Sequence, residues 1–210
     1  MRTSRIVRDI VLLPILTFCL FSANAQNEED FPPEYRTVES IVPGAKDNYR
    51  CYKYKASNQA LYIGTRYNEE MILNEYPSYI DVDLGFLGYK TNVHDVFVGI
   101  VREAVGMEKV RTLAGRNEQL YVGFDLDQNG KILMIYFWLD TTTLITTDEL
   151  YTMEELIKVR FSFVPIRRTS VKLRGGFGIR TTFSEILTGE IPSLKRKELR
   201  QRETEADFGD

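Results

Sequence analysis

The stretch LYVGFDLDQNGKILMIYFW, residues 120–138, decides the fold. Its first half alternates large apolar residues such as Leu120, Val122 and Phe124 with smaller or polar neighbours, which is the two-residue period of a strand with one buried face. Asn129-Gly130 then supplies the positive φ angles that a tight hairpin turn needs. Residues 132–139 return as a second, more apolar strand. The stretch therefore predicts an antiparallel hairpin at the centre of the domain.

Amphipathic helices are predicted on both sides of this hairpin. Asn92 is a good N-cap for a helix over residues 92–105, in which apolar residues recur at three- and four-residue spacing, and residues 107–113 form a further short turn. Thr146 and Glu149 have the spacing of a capping box for a second helix over residues 148–158. Each apolar stripe is expected to cover a sheet face. The predicted fold class is α+β, a single domain with a mixed or antiparallel sheet packed by two amphipathic helices.

Runs of β-branched and aromatic residues predict the remaining strands. Residues 49–54 and 61–67 are rich in tyrosine, and the polar break Ser57-Asn58-Gln59 between them is typical of a hairpin turn. Residues 79–87 alternate apolar with polar positions, as a half-buried strand does. The same alternation predicts strands over residues 159–165 and 176–186.

The first 25 residues have the pattern of a secretory signal peptide. Three arginines precede an apolar run at residues 10–21, and Ala23-Asn24-Ala25 provides small residues for cleavage before Gln26. The run is about half the roughly 20 residues that a bilayer-spanning helix needs. The sequence therefore predicts an exported protein, periplasmic or secreted, without a transmembrane anchor after cleavage.

The rest of the chain divides into three parts. Residues 26–47 are acidic and proline-bearing and are predicted to be a flexible lead-in, with one short ordered piece over residues 35–42. Residues 48–190 form the single domain, and residues 191–210 are a charged tail. Loss of three arginines and one aspartate with the leader moves the net charge from −3 to −5, which argues against a nucleic-acid partner.

The chain has two cysteines, and only one belongs to the predicted mature protein. Cys19 lies within the leader, and the large Phe18 before it disfavours acylation as a lipoprotein. Cys51 is then alone in an oxidising compartment, so an internal disulfide is excluded. Burial as a small apolar residue and pairing with another molecule are the two alternatives.

The order of elements over residues 120–186 resembles the carboxy-terminal domain of TonB-like proteins. That family has the same pattern of strand, Asp-x-x-Gly-Lys turn, strand, helix and strand, which corresponds here to the Asn129-Gly130-Lys131 turn, the helix after Thr147 and the strand near residues 177–183. The whole chain also resembles small exported proteins of Bacteroidetes, in which such a half-domain follows a signal ending in Ala-Gln. The cleavable leader and the missing proline-rich spacer depart from TonB itself. The resemblance therefore implies not energy transduction but an envelope domain that binds other proteins through a sheet edge.

Tyrosines offer the strongest candidate binding residues. Eight of the twelve tyrosines fall within residues 49–89, among the predicted strands. A tyrosine on a sheet face presents a flat apolar ring with a polar rim, which suits sugars and peptides alike. Ordinary strand propensity also explains their number. The candidate binding residues are Tyr52, Tyr54, Tyr62 and Tyr67.

Each candidate metal or catalytic motif in the sequence also has an explanation in which its residues serve only the fold. The segment Asp125-x-Asp127-x-Asn129-Gly130 follows the first half of a calcium loop, but the twelfth position is Tyr136 rather than a bidentate carboxylate, so a polar hairpin tip is expected. His94 is the only histidine, which excludes a histidine-based metal cluster, and it is expected to be an exposed first-turn residue. A pair of Cys51 and His94 remains an alternative.

The best functional hypothesis from sequence is a non-catalytic, exported binding or scaffolding module of a bacterial cell envelope, with a protein or glycan partner and no cofactor or metal. The alternative is a small secreted hydrolase of glycans or peptides, whose two carboxylates the sequence does not locate. Its candidate carboxylates are otherwise expected on a solvated acidic surface: Glu69, Glu70, Asp81, Asp83, Glu154 and Glu155. A hydrolase should bring two of its carboxylates together in a cleft, with one of them poorly solvated.

Overall fold

The computed structural model describes residues 38–53, 58–81, 87–89, 93–165 and 172–192. The leader with Cys19, residues 26–37, the candidate Tyr54, the N-cap candidate Asn92 and the tail beyond residue 192 lie outside these ranges. The strands are β1 (Val38–Val42), β2 (Tyr49–Lys53), β3 (Gln59–Gly64), β4 (Ser78–Asp81), β5 (Leu87–Tyr89), β6 (Gln119–Asp127), β7 (Ile132–Asp140), β8 (Phe163–Pro165) and β9 (Leu173–Thr182). The helices are α1 (Glu69–Glu75), α2 (Val93–Val105), α3 (Met107–Gly115), α4 (Thr147–Arg160) and α5 (Phe183–Thr188).

The predicted central hairpin is β6 and β7. Gly130 has φ 82° at its turn, and the side chain of Asp127 accepts hydrogen bonds of 2.8 Å from the backbone N–H groups of Asn129 and Lys131. Seven strands form one sheet in the order β1-β2-β3-β7-β6-β9-β4, and all neighbours are antiparallel except β4, which runs parallel to β9. β5 and β8 form a separate two-stranded sheet. The α+β prediction is confirmed.

One face of the large sheet is covered by helices. Phe97 and Ile100 of α2, with Met153 and Ile157 of α4, pack against alternate residues of β6, β7 and β9 in one apolar cluster. At its centre, the ring of Phe124 lies between 5.6 and 6.0 Å from those of three further phenylalanines, Phe161, Phe163 and Phe177. We call this side of the sheet the helix face, and the opposite side the second face.

Three predicted strands were wrong at their ends, and the one predicted over residues 61–67 stops at Gly64. Residues 159 and 160 belong to α4, and only Phe163–Pro165 of that stretch is extended. β9 stops at Thr182, because Thr182 and Glu185 form a capping box that starts α5. The apolar residue Phe183 fits both the strand alternation and the first turn of a helix, so periodicity alone did not reveal this change.

Besides α5, helix α1 was not predicted, and strand β1 was expected only as a short ordered piece. α1 begins at the N-cap Asn68 and is short, with Ile72 as its buried residue. β1 pairs with β2 and forms one edge of the sheet, and it falls within the short ordered piece expected over residues 35–42. Among the described residues, no helix combines the length and apolar character that crossing a bilayer requires.

Candidate functional site

A row of side chains crosses the second face from strand to strand. The register pairs Tyr52 with Leu61, Leu61 with Trp138, Trp138 with Tyr121, and Tyr121 with Arg180. Directly opposed residues of antiparallel strands project to the same face, so these five side chains form one line across β2, β3, β7, β6 and β9. We call this line the aromatic row. Four of its members are half-buried and Arg180 is exposed.

Two glycines of this face allow tyrosine rings to lie across the backbone. A Cβ atom at Gly178 would lie 2.1 Å from the hydroxyl of Tyr121, and one at Gly123 would lie 2.1 Å from the ring of Tyr136. The two tyrosine rings have centroids 6.2 Å apart, and the Arg180 guanidinium lies 5.9 Å from the centre of the Tyr121 ring. A ring that lies across the backbone turns one of its faces away from the sheet, which is the orientation that stacking on a flat ligand requires.

A polar pocket of about 400 Å³ lies at the end of β7, where Asp140 is one of its lining residues. Asp140 pairs with Gln59 and lies two residues beyond Trp138 on the same face of β7, a separation of about 7 Å along the strand. The pocket is lined by Asn58, Arg116, Asn117, Glu118, Asp140, Thr141 and Thr142. Its chemistry therefore consists of two carboxylates, one guanidinium, two amides and two hydroxyls.

Glu118 is the unusual member of this pocket, because its carboxylate is buried without hydrogen bonds. The residue is 3% exposed, and neither carboxylate oxygen has a hydrogen-bond partner. Arg116 Nε lies 2.8 Å from Glu118 Oε1, but the angle is not that of a hydrogen bond. Arg116 thus balances the charge but leaves the lone pairs unfilled. The oxygens themselves have almost no accessible surface, so the Arg116 ion pair is the contact that offsets the burial of this carboxylate.

The backbone holds Glu118 in this position. Its N–H donates to the Leu113 carbonyl at the end of α3, and its own carbonyl accepts from the N–H of Phe183 at the start of α5, each at 3.1 Å. Asn117 has φ 55°, in the left-handed region that asparagine tolerates best after glycine. In the sequence these residues read as an ordinary polar loop between a helix and a strand, so sequence reasoning missed the pocket.

The structure does not bring the described tyrosine candidates together. Tyr52 lies in the aromatic row. Tyr62 lies on the helix face, where burial and the hydrogen-bonded Cys51 raise the pKa of its hydroxyl to about 12. Tyr67 bonds to Glu154, and Tyr54 lies outside the described residues. Cys51 itself is fully buried, which agrees with the first of its two alternatives.

Glu154 is fully buried, so its expected place on a solvated surface was wrong. It follows Leu150 by one helical turn and therefore shares the inner stripe of α4. Its carboxylate accepts hydrogen bonds from the hydroxyls of Tyr49, at 2.8 Å, and Tyr67, and Arg66 Nη2 lies 2.5 Å away. Burial raises the pKa of Glu154, although the two tyrosines and Arg66 act against it.

The pKa values of Arg66 and Glu154 are both raised, which favours the charged form of Arg66 but the neutral form of Glu154, and this difference follows from their exposure. Burial is the largest effect on the Arg66 guanidinium and acts to lower its pKa, but Glu154, Tyr67 and Tyr49 together raise it above its ordinary value. Arg66 keeps a side chain 26% exposed, whereas that of Glu154 is 0% exposed, so the carboxylate bears most of the desolvation. Arg66 Nη1 also lies 2.8 Å from Asp47. The charged and hydroxyl groups of this cluster pair with one another, so the cluster is best described as a structural ion network.

The other predicted carboxylates also have protein partners or lie in solvent. Glu69 pairs with Arg50 at 2.8 Å, and Glu155 with Lys158 at 3.1 Å, while Glu70 is exposed. Asp83 and the side chain of Asp81 lie outside what the structure describes.

The calcium-like segment is a hairpin tip with a buried ion pair. Asp125 lies 2.9 Å from Arg174, and burial raises the pKa of its carboxyl while Arg174 opposes the shift. The side chain of Asp127 accepts hydrogen bonds from two backbone N–H groups of the turn. In the described part of the chain, no group of three or more histidine, cysteine or acidic side chains is placed to hold a metal ion.

His94 is buried, so its predicted exposure was wrong. Its Nε2 accepts a hydrogen bond of 2.9 Å from the backbone N–H of Ile191, and its Nδ1 lies 2.7 Å from Asp95. This hydrogen bond connects the segment after α5 to the start of α2. Sequence gave no sign of the contact, because the two residues are 97 positions apart.

Fold and site together define an α+β protein with one helix-covered sheet face and one half-exposed aromatic face. The fold is similar to that of a DUF5043 family protein from Bacteroides uniformis ATCC 8492, known from its crystal structure, with a TM-score of 0.54 and 16% sequence identity. The similarity covers 74% of this chain and 92% of that chain, and at this identity it concerns the fold alone. No protein-family model and no curated protein matches the sequence.

Proposed function

We propose that this protein is a non-catalytic binding module that holds its partner on the second face of the sheet. The observation that carries the proposal is the aromatic row, with Tyr121 and the neighbouring Tyr136 lying across glycines. Half-exposed aromatic rings beside an arginine are the side chains that most often dominate binding energy. The leader over residues 1–25 and the resemblance of residues 120–186 to TonB-like domains support an envelope location for this module.

The position of the row favours docking on a face rather than on an edge. Trp138 and Tyr121 belong to β7 and β6, and each of these strands is paired on both sides. Their backbone groups are therefore used within the sheet, and adding a partner strand there is impossible. The sheet-edge mode that the TonB-like resemblance implied is thus not the one that this row supports.

A small hydrolase is the second candidate, and one observation favours it. Glu118 and Asp140 line the same pocket, and Glu118 is poorly solvated. Acid–base hydrolysis uses two carboxylates of which one is poorly solvated. Hydrolysis that disappears in both Glu118→Gln and Asp140→Asn would establish this function in place of the first.

The binding proposal is tested with two probe sets, immobilised envelope polysaccharides and immobilised envelope proteins. Trp138→Ala and Tyr121→Ala should each weaken retention on one of the sets at least tenfold, because each removes a ring of the row. Val159→Ala is the matched control, since Val159 is an apolar residue 81% exposed on α4. Retention by both ring variants equal to that of the wild type would refute the proposal.

A further inference from the structure

We propose that His94 and the backbone N–H of Ile191 form a pH-dependent latch, whose hold on the segment after α5 weakens as the pH falls below about 6.5. Ile191 belongs to the apolar cluster of the helix face. The latch therefore lies on the side of the sheet opposite to the aromatic row and does not depend on the binding proposed there.

The hydrogen bond to Ile191 fixes which ring nitrogen of His94 carries the proton. Nε2 accepts from the N–H of Ile191 at 2.9 Å, so this nitrogen is unprotonated. The proton of the neutral ring is then on Nδ1, which lies 2.7 Å from Asp95 and donates to its carboxylate. A proton added to Nε2 would turn the acceptor into a donor, so that two N–H groups would face each other.

Burial makes this conflict costly. His94 is 2% exposed and Ile191 is 0% exposed, so water cannot replace the lost partners while the segment stays in place. A buried N–H group without an acceptor costs about 1–3 kcal/mol. Protonation of Nε2 and the docked position of Ile191 therefore exclude each other.

Other contacts confine the movement to the residues after α5. Arg102 donates to the carbonyl groups of Ile186 and Leu187 at the end of this helix, at 3.0 Å each. An arginine stays charged throughout this pH range, so these bonds hold the helix whether or not His94 is protonated. Gly189 follows α5 with φ 79°, and glycine changes its backbone angles at little steric cost. The segment with Ile191 can therefore swing out about Gly189 while α5 keeps its place.

The charged groups around His94 leave the sign of the effect to the imidazole. Asp95 is the next residue of the same helix and stays beside the ring in both forms, so it does not change the balance between them. Glu190 precedes Ile191 and is exposed. The helices that pack against α2 are α3, α4 and α5, and charged side chains of each have partners of their own: Lys109 with Glu149, Arg160 with Glu103, and Glu185 with Thr181.

Glu154 of α4 titrates as well, but its effect has the opposite sign. Burial raises the pKa of Glu154, so this group contributes more to stability at low pH than at high pH. The latch is instead strongest at high pH, because release of the segment takes up a proton. A loosening at low pH that is confined to Ile191 therefore cannot come from Glu154.

The size of the effect follows from proton uptake. An imidazole in water takes up a proton near pH 6.5, whereas Nε2 of the docked form is occupied by the N–H of Ile191. The equilibrium constant for release should therefore rise by up to about tenfold for each pH unit below 6.5 and stay constant well above it. Between pH 7.5 and pH 5.5 the expected rise is about tenfold.

The experiment is amide hydrogen exchange, followed by NMR at pH 7.5 and pH 5.5 and divided by the intrinsic exchange rate at each pH. The protection of the Ile191 amide should fall about tenfold at pH 5.5. The amide of Val122 is the internal reference, because β6 is paired on both sides, and it should keep its protection. His94 is the single histidine of the chain, so its ring nitrogens are identified directly, and at pH 7.5 the proton should be on Nδ1 and not on Nε2.

His94→Gln is the matched variant. The glutamine amide oxygen can accept from the N–H of Ile191 in place of Nε2, and it does not titrate. The protection of the Ile191 amide should therefore be the same at both pH values in this variant. The wild-type measurements need no substitution, so they test the proposal even if the variant does not fold.

The outcomes decide the proposal as follows. A tenfold loss of Ile191 protection in the wild type, absent in His94→Gln and absent at Val122, would establish the latch. Equal protection of Ile191 at both pH values in the wild type would refute it, as would a loss that His94→Gln or Val122 shares. A ring proton on Nε2 at pH 7.5 would contradict the hydrogen bond on which the latch depends.

Discussion

The two faces of the large sheet are built from alternate residues of the same strands, yet their side chains differ in kind. On β6 the helix face carries Leu120, Val122 and Phe124, all 0% exposed, whereas the second face carries Tyr121 and Gly123. The helix face is closed by α2 and α4. On the second face, Ile72 of α1 packs beside Ile63 and Met134, and Tyr52 and Leu61 of the aromatic row pack against this smaller cluster. Under the proposed function, stability and binding lie on opposite sides of one sheet, and the predictions below test this division.

The largest expected effect is on the helix face. Phe124→Ala should lower the free energy of unfolding by about 3–5 kcal/mol, because it leaves a cavity among three phenylalanine rings. Tyr121→Ala on the neighbouring position of the same strand should cost less than about 2 kcal/mol. Guanidinium denaturation of both variants measures the contrast. Equal losses of unfolding free energy in the two variants would contradict the assignment of stability to the helix face.

Glu154 is a buried carboxylate on the inner stripe of α4, and its effect on stability should depend on pH. Its pKa is raised from the ordinary value of 4.5 by burial, so the native state holds the proton more tightly than the unfolded chain does. The stability contributed by this group is complete below about pH 4.5 and is lost as the pH rises through the raised native pKa.

The pH dependence is isolated by subtraction from a variant that does not titrate. The free energy of unfolding of the wild type minus that of Glu154→Gln should fall as the pH is raised from about 4 towards neutrality. Urea denaturation at a series of pH values gives this difference directly. A difference that grows with pH would mean that the Arg66 contact outweighs burial and lowers the pKa of Glu154.

A smaller effect on stability and a larger one on binding are expected at Gly178. A methyl group there meets the hydroxyl end of the Tyr121 side chain, which can swing away, so Gly178→Ala should change the free energy of unfolding by less than about 1 kcal/mol. Ligand retention should fall, because the ring leaves its position across the backbone.

Gly99→Ala in α2 is the matched control for this substitution. Nothing lies within 4 Å of a Cβ atom at Gly99, so the variant should gain about 0.5–1 kcal/mol of stability and keep full binding. Thermal melting and retention on the two immobilised probe sets measure both variants. Full binding by the Gly178→Ala variant would show that the Tyr121 ring is not part of the binding site.

The smallest expected effect is that of calcium. The carboxylate of Asp125 is paired with Arg174, and that of Asp127 closes the hairpin turn, so millimolar calcium should leave the melting temperature unchanged. Differential scanning calorimetry with and without calcium measures this. An increase of several degrees would show that the hairpin tip binds the ion.

Much of the fold could be predicted because its signals are local. The Asn129-Gly130 turn, the capping box of Thr146 with Glu149 and the stripe of α2 each lie within a dozen residues, and each appears in the structure. The prediction failed near Phe183, where one residue satisfies both the strand and the helix period. Local patterns therefore determine element type where only one period fits.

The candidate site could not be predicted in the same way. Tyr52 and Tyr62 are both strand tyrosines, but the register of β2 with β3 places them on opposite faces, and a shift of one residue would have exchanged those faces. Glu154 and His94 show the same limit, since their partners Tyr49 and Ile191 are about a hundred positions away.

By itself the sequence determined an α+β domain with a central hairpin, amphipathic helices and a tyrosine-rich half. Only the tertiary structure decided which rings share a face and that Asn58, Glu118 and Asp140 line one pocket. The physical reason is that periodicity and capping act over a few residues, whereas strand register and burial depend on contacts between segments far apart in the chain.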